Sequence, residues 1–318
     1  MKAKRMAAKK CALVIHGGAG TISPEQITPE MKRDLRGGLQ RSLDAGHAIL
    51  KNGGSSLDAV VAAVHVLEDD PLFNAGRGAV FTSAGTHEMD AAIMDGRTLQ
   101  AGAVGGIRRV KNPILLARAI MEKSPHLILA GDGAEDFARE LGLEIVEQEY
   151  FYTEQRWQAL ERVRTSRTES LSDADRHGTV GAVALDQSGN LAAATSTGGN
   201  TNKWPGRIGD TPVIGAGTYA NNQTCAVSAT GDGEFFIRTV AGHDLSALME
   251  YRGMNLADAA QTLIDKIAHL GGTGGLIAID RNGCMAFPFN TAGMYRGYVD
   301  VEGKTTVAIY KERGQASL

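Results

Sequence analysis

A chain of 318 residues with 43% hydrophobic side chains carries enough apolar material for one large or two ordinary globular domains. Its 33 basic and 36 acidic residues leave a formal charge of −3 and form no long like-sign run, so nucleic acid is not an expected partner. Cys11, Cys225 and Cys284 are odd in number, far apart and outside any Cys-x-x-Cys pattern, which argues against a disulfide framework and a zinc site.

Met1 to Lys10 is a basic tail, and the apolar stretch behind it, Cys11 to Ile15, is too short for export or for crossing a membrane. A cytoplasmic protein with no membrane partner is expected. Cys11 to Ile15 itself predicts a buried strand, broken by His16-Gly17-Gly18-Ala19-Gly20, which reads as structural. Thr28 before Pro29 predicts a helix start, with Met31, Leu35, Leu39 and Leu43 on one face and Gly53 at its end. A second helix opens at Ser55 or Ser56, buries Leu57, Val60, Val61, Val64 and Leu67, and stops before Pro71.

Short strands of small residues follow at Ala79 to Phe81, Ala91 to Met94 and Ala101 to Val104. Asn112-Pro113 opens a helix, and Asp132 with Glu135 suggests a capping box for another that ends near Gly142. Residues 148–178 read as a linker, because beyond Trp157 the chain is almost wholly charged or polar.

Thr179 to Asp186, the turn Gln187-Ser-Gly-Asn190 and Leu191 to Thr197 then read as a β-hairpin, and the same grammar recurs from Leu276 to Phe287. Strands around Pro212 to Gly217 and Thr224 to Ala229, and helices Gly233 to Met249 and Asn255 to Leu270, lie between. Strands and helices come in runs, which favours two stacked sheets covered by helices over an alternating doubly wound domain.

A polar linker that ends at a hydroxyl residue opening a buried strand is where autoproteolysis would place a new chain end. Cleavage between Gly178 and Thr179 would free a threonine α-amine with a pKa of about 7.7–8.0, able to activate the hydroxyl beside it. Gly178, lacking Cβ, can take a strained conformation that offers its carbonyl to that hydroxyl. Ser228-Ala-Thr-Gly-Asp-Gly-Glu234 ends a strand in glycines, so Thr230 and the Gly231 N–H are candidates for an oxyanion hole ahead of a helix starting at Gly233. Arg207 and Asp210, on a Gly- and Pro-rich loop, can hold the α-carboxylate and α-ammonium of an amino acid; a surface salt bridge between them is the simpler alternative. The eight histidines show no metal-ligand spacing.

Taken together, His16-Gly-Gly-Ala-Gly20, Pro71-Leu-Phe-Asn-Ala-Gly-Arg-Gly78, Glu88-Met-Asp-Ala91, Gly178-Thr-Val-Gly-Ala-Val-Ala-Leu-Asp186, Ser196-Thr-Gly-Gly199, Pro205-Gly-Arg-Ile-Gly-Asp210 and Thr230-Gly-Asp-Gly-Glu234 resemble the plant-type asparaginases, or isoaspartyl peptidases. The match runs in unbroken order from His16 to about Tyr310. The resemblance implies an α+β fold, a four-layer αββα sandwich of the N-terminal-nucleophile hydrolase type. It further implies self-cleavage into an α subunit (1–178) and a β subunit (179–318) that form one domain, assembled as a dimer of such pairs.

By position, Thr179 is the implied nucleophile and Thr197 supports its hydroxyl; Thr230 and Gly231 form the oxyanion hole, Arg207, Asp210 and Gly233 hold the aspartyl head group, and Asn74 borders the site. No cofactor is implied for catalysis. A structural sodium ion is, held by the main-chain carbonyls of Leu67, Glu68, Asp70, Phe73, Ala75 and Arg77. The expected substrates are small molecules, β-aspartyl dipeptides and L-asparagine. The alternatives are a glycosylasparaginase-type amidohydrolase, disfavoured because Gly178 stands where that branch carries aspartate, and an uncleaved amino-acid-binding protein.

Overall fold

The computed structural model describes residues 10–20, 27–165 and 178–311; the basic tail before Lys10 and part of the expected linker, 166–177, lie outside the described residues. The first half of the chain forms β1 (Ala12–Gly20), α1 (Pro29–Lys51), α2 (Ser56–Asp69), β2 (Met89–Asp95), β3 (Ala101–Ile107), α3 (Pro113–Lys123), β4 (Ile128–Ala130), α4 (Gly131–Glu140) and α5 (Glu154–Thr165). The second half adds β5 (Val180–Leu185), β6 (Leu191–Thr197), β7 (Thr218–Ala220), β8 (Cys225–Gly231), α6 (Gly233–Thr239), α7 (Ala241–Arg252), α8 (Leu256–His269), β9 (Gly274–Asp280), β10 (Met285–Ala286), β11 (Gly293–Val299) and β12 (Thr305–Tyr310).

Local chemistry accounts for several helix starts. Thr28 accepts from the Met31 N–H, Ser55 from Asp58 N–H and Asn255 from Asp258 N–H, each side chain satisfying a donor that the first helical turn leaves open. The strands collect into an eight-stranded sheet, ordered β12-β11-β1-β5-β6-β2-β3-β4, and a four-stranded sheet, β10-β9-β8-β7.

Burial alternates along the central strands. Leu13, Ile15, Val180, Ala182 and Ala184 pack with α1 to α3, while Ala12, Val14, Val183 and Leu185 pack with Ala226, Ile277 and Ile279 of the smaller sheet. On the smaller sheet's other face, Val227, Leu276 and Ala278 meet Leu245, Leu263 and Ile267 of α7 and α8. Strands apolar on both faces read as near-continuous hydrophobic runs, which is why β1 and β5 were legible as buried strands. The result is a mixed α+β protein in which helices cover a large sheet. Among the described residues no helix is long and apolar enough to cross a membrane.

The structure corrects several expectations. β1 does not stop at His16; it runs on to Gly20 through a bulge between His16 and Gly18. Ala79 to Phe81 joins no strand, with only an isolated Phe81–His87 bridge. The described part of the expected linker is helical: Phe151 and Leu160 are buried, and the guanidinium of Arg156 donates to the Gly78 and Leu72 carbonyls.

Glu135 caps nothing; its carboxylate accepts the Arg108 and Arg109 N–H groups instead, and α4 starts after Ala130 without a side-chain cap. Residues 212–217 form turns, and the strand is β7, just beyond them. The helix expected from Gly233 to Met249 breaks at Val240, which takes a left-handed φ of 48°. Strands β11 and β12 extend the large sheet where no strand was predicted.

Candidate active site

Thr179 sits at the entrance to β5, buried, and its Oγ1 donates to Thr197 Oγ1 at 3.1 Å. The pairing of β5 with β6, in which Val180 faces Ser196, brings the two hydroxyls together. Thr197 Oγ1 also accepts the Gly199 N–H at 2.9 Å, so the glycine turn after β6 fixes its orientation.

Two segments flank the Gly178–Thr179 peptide. A Cβ on Gly18 would stand 2.7 Å from Gly178 Cα and 3.3 Å from Thr179 N, and Gly18 has φ of +110°. One on Gly178 would meet the Asn74 Cβ at 3.0 Å. Asn74 is itself fixed: its amide donates to Gly199 O at 2.7 Å and its Oδ1 accepts the Val80 N–H at 3.0 Å. The His16-to-Gly20 segment, taken as structural, is therefore part of the site. No local signal marks it, since only folding brings the β1 bulge onto residue 178.

Thr230, at the end of β8, is buried and accepts the Ala19 N–H at 3.2 Å. Gly231 beside it has φ of +144° and lies so close to Gly274 that a Cβ would fall 2.5 Å from the Gly274 Cα. Thr230 thus contacts the segment whose Gly18 lies on the Gly178–Thr179 peptide.

Arg207, Asp210 and Gly233 also converge. A Cβ on Gly233 would lie 2.6 Å from Asp210 Oδ1 and 3.1 Å from Arg207 Nη2. Arg207 does not pair with Asp210. It forms a bidentate bridge to Glu234, Nε and Nη2 donating at 3.0 and 3.1 Å. Asp210 Oδ2 is buried without a hydrogen-bond partner among the described residues, and burial pushes this carboxyl up to about 6 against the opposing pull of Arg207. Such a group is poised for a cationic partner.

Sequence reasoning did not single out two buried side chains. His16 Nε2 lies 2.9 Å from Ser228 Oγ, Ser228 2.7 Å from Thr195 Oγ1, and Thr218 donates to Thr195 at 2.7 Å; burial lowers the imidazole to about 3, so it is neutral. Glu68, fully buried in the last turn of α2, accepts Ser196 Oγ–H at 2.6 Å and the Ile114 N–H at 2.9 Å, and burial raises it to about 8. An acid in a last helical turn carries no signal of burial, and its partners are remote in sequence.

Among the described residues no group of three or more His, Cys, Asp or Glu side chains is placed to hold a metal. The expected sodium ligands are carbonyls. Asp70 O, Phe73 O and Ala75 O each accept one backbone N–H, from Phe73, Ala75 and Gly78. The loop returns over the end of α2 so closely that a Cβ on Gly76 would meet Glu68 O at 2.4 Å. Carbonyls from the last turn of α2 and from the loop beyond it, with lone pairs remaining, are the donor type a hard cation takes.

A family model described as asparaginase matches residues 9–309. The isoaspartyl peptidase of Escherichia coli (strain K12) is 50% identical over 313 residues, covering 96% of this chain and 98% of that protein. A probable isoaspartyl peptidase/L-asparaginase 2 of Arabidopsis thaliana is 43% identical over 94% of this chain and 99% of its own length. The isoaspartyl peptidase/L-asparaginase of Mus musculus is 45% identical over 89% of this chain and 86% of its own length. With matches of this extent, and with its threonines gathered around one glycyl-threonine peptide, the chain belongs to the asparaginase family of the isoaspartyl peptidases.

Proposed function

We propose that this protein is a self-cleaving amidohydrolase that uses Thr179 to hydrolyse β-aspartyl dipeptides and L-asparagine. The observation that carries the reading is the 3.1 Å hydrogen bond from Thr179 to Thr197 beside a peptide walled by Gly18 and Asn74. In the intact chain Thr179 N is an amide and cannot serve as a base. The hydroxyl oxygen attacks the Gly178 carbonyl carbon, its proton passes to the departing nitrogen, and the peptide becomes an ester. Water then splits the ester into a Gly178 carboxylate and a free Thr179, with an amine of pKa about 7.7–8.0. The products are the α (1–178) and β (179–318) subunits.

In turnover the amine takes the Thr179 hydroxyl proton as the oxygen attacks the β-carbonyl of the substrate. Thr230 and the Gly231 N–H stabilise the oxyanion, and Thr197 holds the nucleophile. The amine returns its proton to the leaving ammonia or amino acid, and water hydrolyses the β-aspartyl ester to aspartate. Asp210 binds the α-ammonium. Arg207 binds the α-carboxylate through Nη1, which the Glu234 bridge leaves unused, and Gly233 keeps the space open for the head group. One site serves both substrates because only the leaving amine differs.

The three apolar clusters, between α1–α3 and the large sheet, between the sheets, and between the small sheet and α6–α8, support a four-layer αββα arrangement. The reading includes a sodium ion at the Leu67-to-Arg77 carbonyls, which would brace the Asn74 loop, and a dimer of αβ pairs. The test is intact mass after prolonged incubation beside Thr179→Ala, with β-Asp-Leu hydrolysis measured in the same samples. Fragments meeting at Gly178 and Thr179, appearing with activity and missing in the control, are expected; a whole, inert chain would overturn the reading.

A further inference from the structure

The loop carrying Arg207 and Asp210 has little apolar anchorage, for Trp204 is 83% and Ile208 41% exposed. Two carboxylates beneath it do the holding. Glu88, just before β2, accepts the Gly206 N–H at 2.7 Å through Oε2, and Asp90, two residues on, accepts the Gly209 N–H at 3.4 Å through Oδ2. Gly206 and Gly209 immediately precede Arg207 and Asp210, so each carboxylate fixes the peptide leading into one residue of the head-group clamp.

Both acids are tied down from behind. Glu88 Oε1 accepts Arg108 Nη2 at 2.7 Å, Asp90 Oδ1 accepts the Gly106 N–H at 2.9 Å, and the buried Lys203 Nζ donates to Glu88 O at 2.6 Å. The side chains are 2% and 0% exposed. Desolvating two carboxylates is costly, and an apolar floor would cover the loop at lower cost. What carboxylates supply instead is direction, because each fixes an N–H at a defined angle.

We propose that Glu88 and Asp90 are positioning residues for substrate recognition: they set the spacing of Arg207 and Asp210 and thereby determine KM. The inference rests on the assignment of Arg207 and Asp210 as the head-group clamp. Neither acid touches the reacting atoms, so kcat and self-cleavage depend on them little.

The test compares Asp90→Asn, Glu88→Gln, Arg207→Ala and the double variant Asp90→Asn/Arg207→Ala in β-Asp-Leu hydrolysis, with self-cleavage followed by intact mass. An amide turns a donor toward part of the N–H set that each carboxylate binds, yet keeps its volume. Full self-cleavage, a KM raised about tenfold in at least one amide variant, kcat nearly unchanged, and a double variant no worse in KM than Arg207→Ala alone are expected. If Arg207→Ala raises KM and neither amide variant does, the positioning role is wrong while the clamp stands. If Arg207→Ala also leaves KM unchanged, the clamp itself is wrong. Failed self-cleavage, or a loss confined to kcat, in both amide variants would mark a general structural tie and overturn the proposal.

Discussion

Gly18 stands against Gly178 at a separation that admits no side chain: a Cβ on the first would lie 2.7 Å from the Cα of the second, at a φ of +110° that L-residues rarely adopt. The β1 bulge thereby packs directly on the Gly178–Thr179 peptide. Gly18→Ala must displace residue 178 or unwind the bulge. The expected outcome is self-cleavage slowed at least about tenfold, since misplacing reacting atoms by about 1 Å can cost some 100-fold. A gel time course of the precursor checks it, and cleavage at the parental rate would refute the role given to the bulge.

Thr230→Val keeps the shape of the end of β8 but removes the hydroxyl. On the proposed mechanism this removes one oxyanion donor, and a fall in kcat of about 100-fold or more with KM little changed is expected. Thr197→Val removes the acceptor of the Thr179 hydroxyl, and a smaller fall in kcat, about tenfold, is expected from the loss of one neutral hydrogen bond. Steady-state kinetics on fully processed protein separate the two.

The Asp210 carboxyl, raised to about 6 by burial, must be ionised to hold an ammonium group. Below that pH the free enzyme carries it neutral, so KM for β-Asp-Leu should climb as pH falls through about 6, up to about tenfold per pH unit. The sign is fixed by the group's charge: protonation removes the negative charge that Asp210 offers to the ammonium. Asp210→Asn should show a high KM without this acid limb. A parental KM flat from pH 7 to 5 would remove Asp210 from substrate binding.

Glu68, raised to about 8 by burial, keeps its proton in the fold between its ordinary value of 4.5 and 8, while the unfolded chain has lost it. In that window the folded state binds more protons, so the group's contribution to stability declines as pH rises. Glu68→Gln, neutral throughout, is expected to gain in Tm relative to the parent as pH increases from about 5 to 8. Differential scanning calorimetry across that range decides it; a constant Tm difference would show Glu68 ionised in the fold.

Wherever the information was local, the chain could be read directly. Thr28-Pro29 and the spacing from Met31 to Leu43 announced α1, and the hairpin of β5 and β6 was legible from two apolar runs around Ser188-Gly189. The compositional step before Thr179 marked the residue proposed as nucleophile, and the ordered series of motifs pointed to the family that the comparisons bear out. Those signals survive folding because caps, turns and strand faces depend on near neighbours.

Other features needed partners distant in sequence. The polar character of residues 148–165 concealed the burial of Phe151, Arg156 and Leu160, and Arg156 is held by carbonyls of the distant Leu72-to-Gly78 loop. Arg207 faced two acids within reach, Asp210 three residues away and Glu234 further on, and only the packing of α6 against the loop selected Glu234. The bulge that carries Gly18 to Gly178, and the buried acids Glu68, Glu88 and Asp90, likewise have meaning only once strands from both halves of the chain are paired. Sequence determined the locally coded helices and strands and which residue is proposed as the nucleophile; tertiary structure alone decided what stands beside it, because a hydrogen bond or steric wall is a relation between surfaces that chain order does not encode.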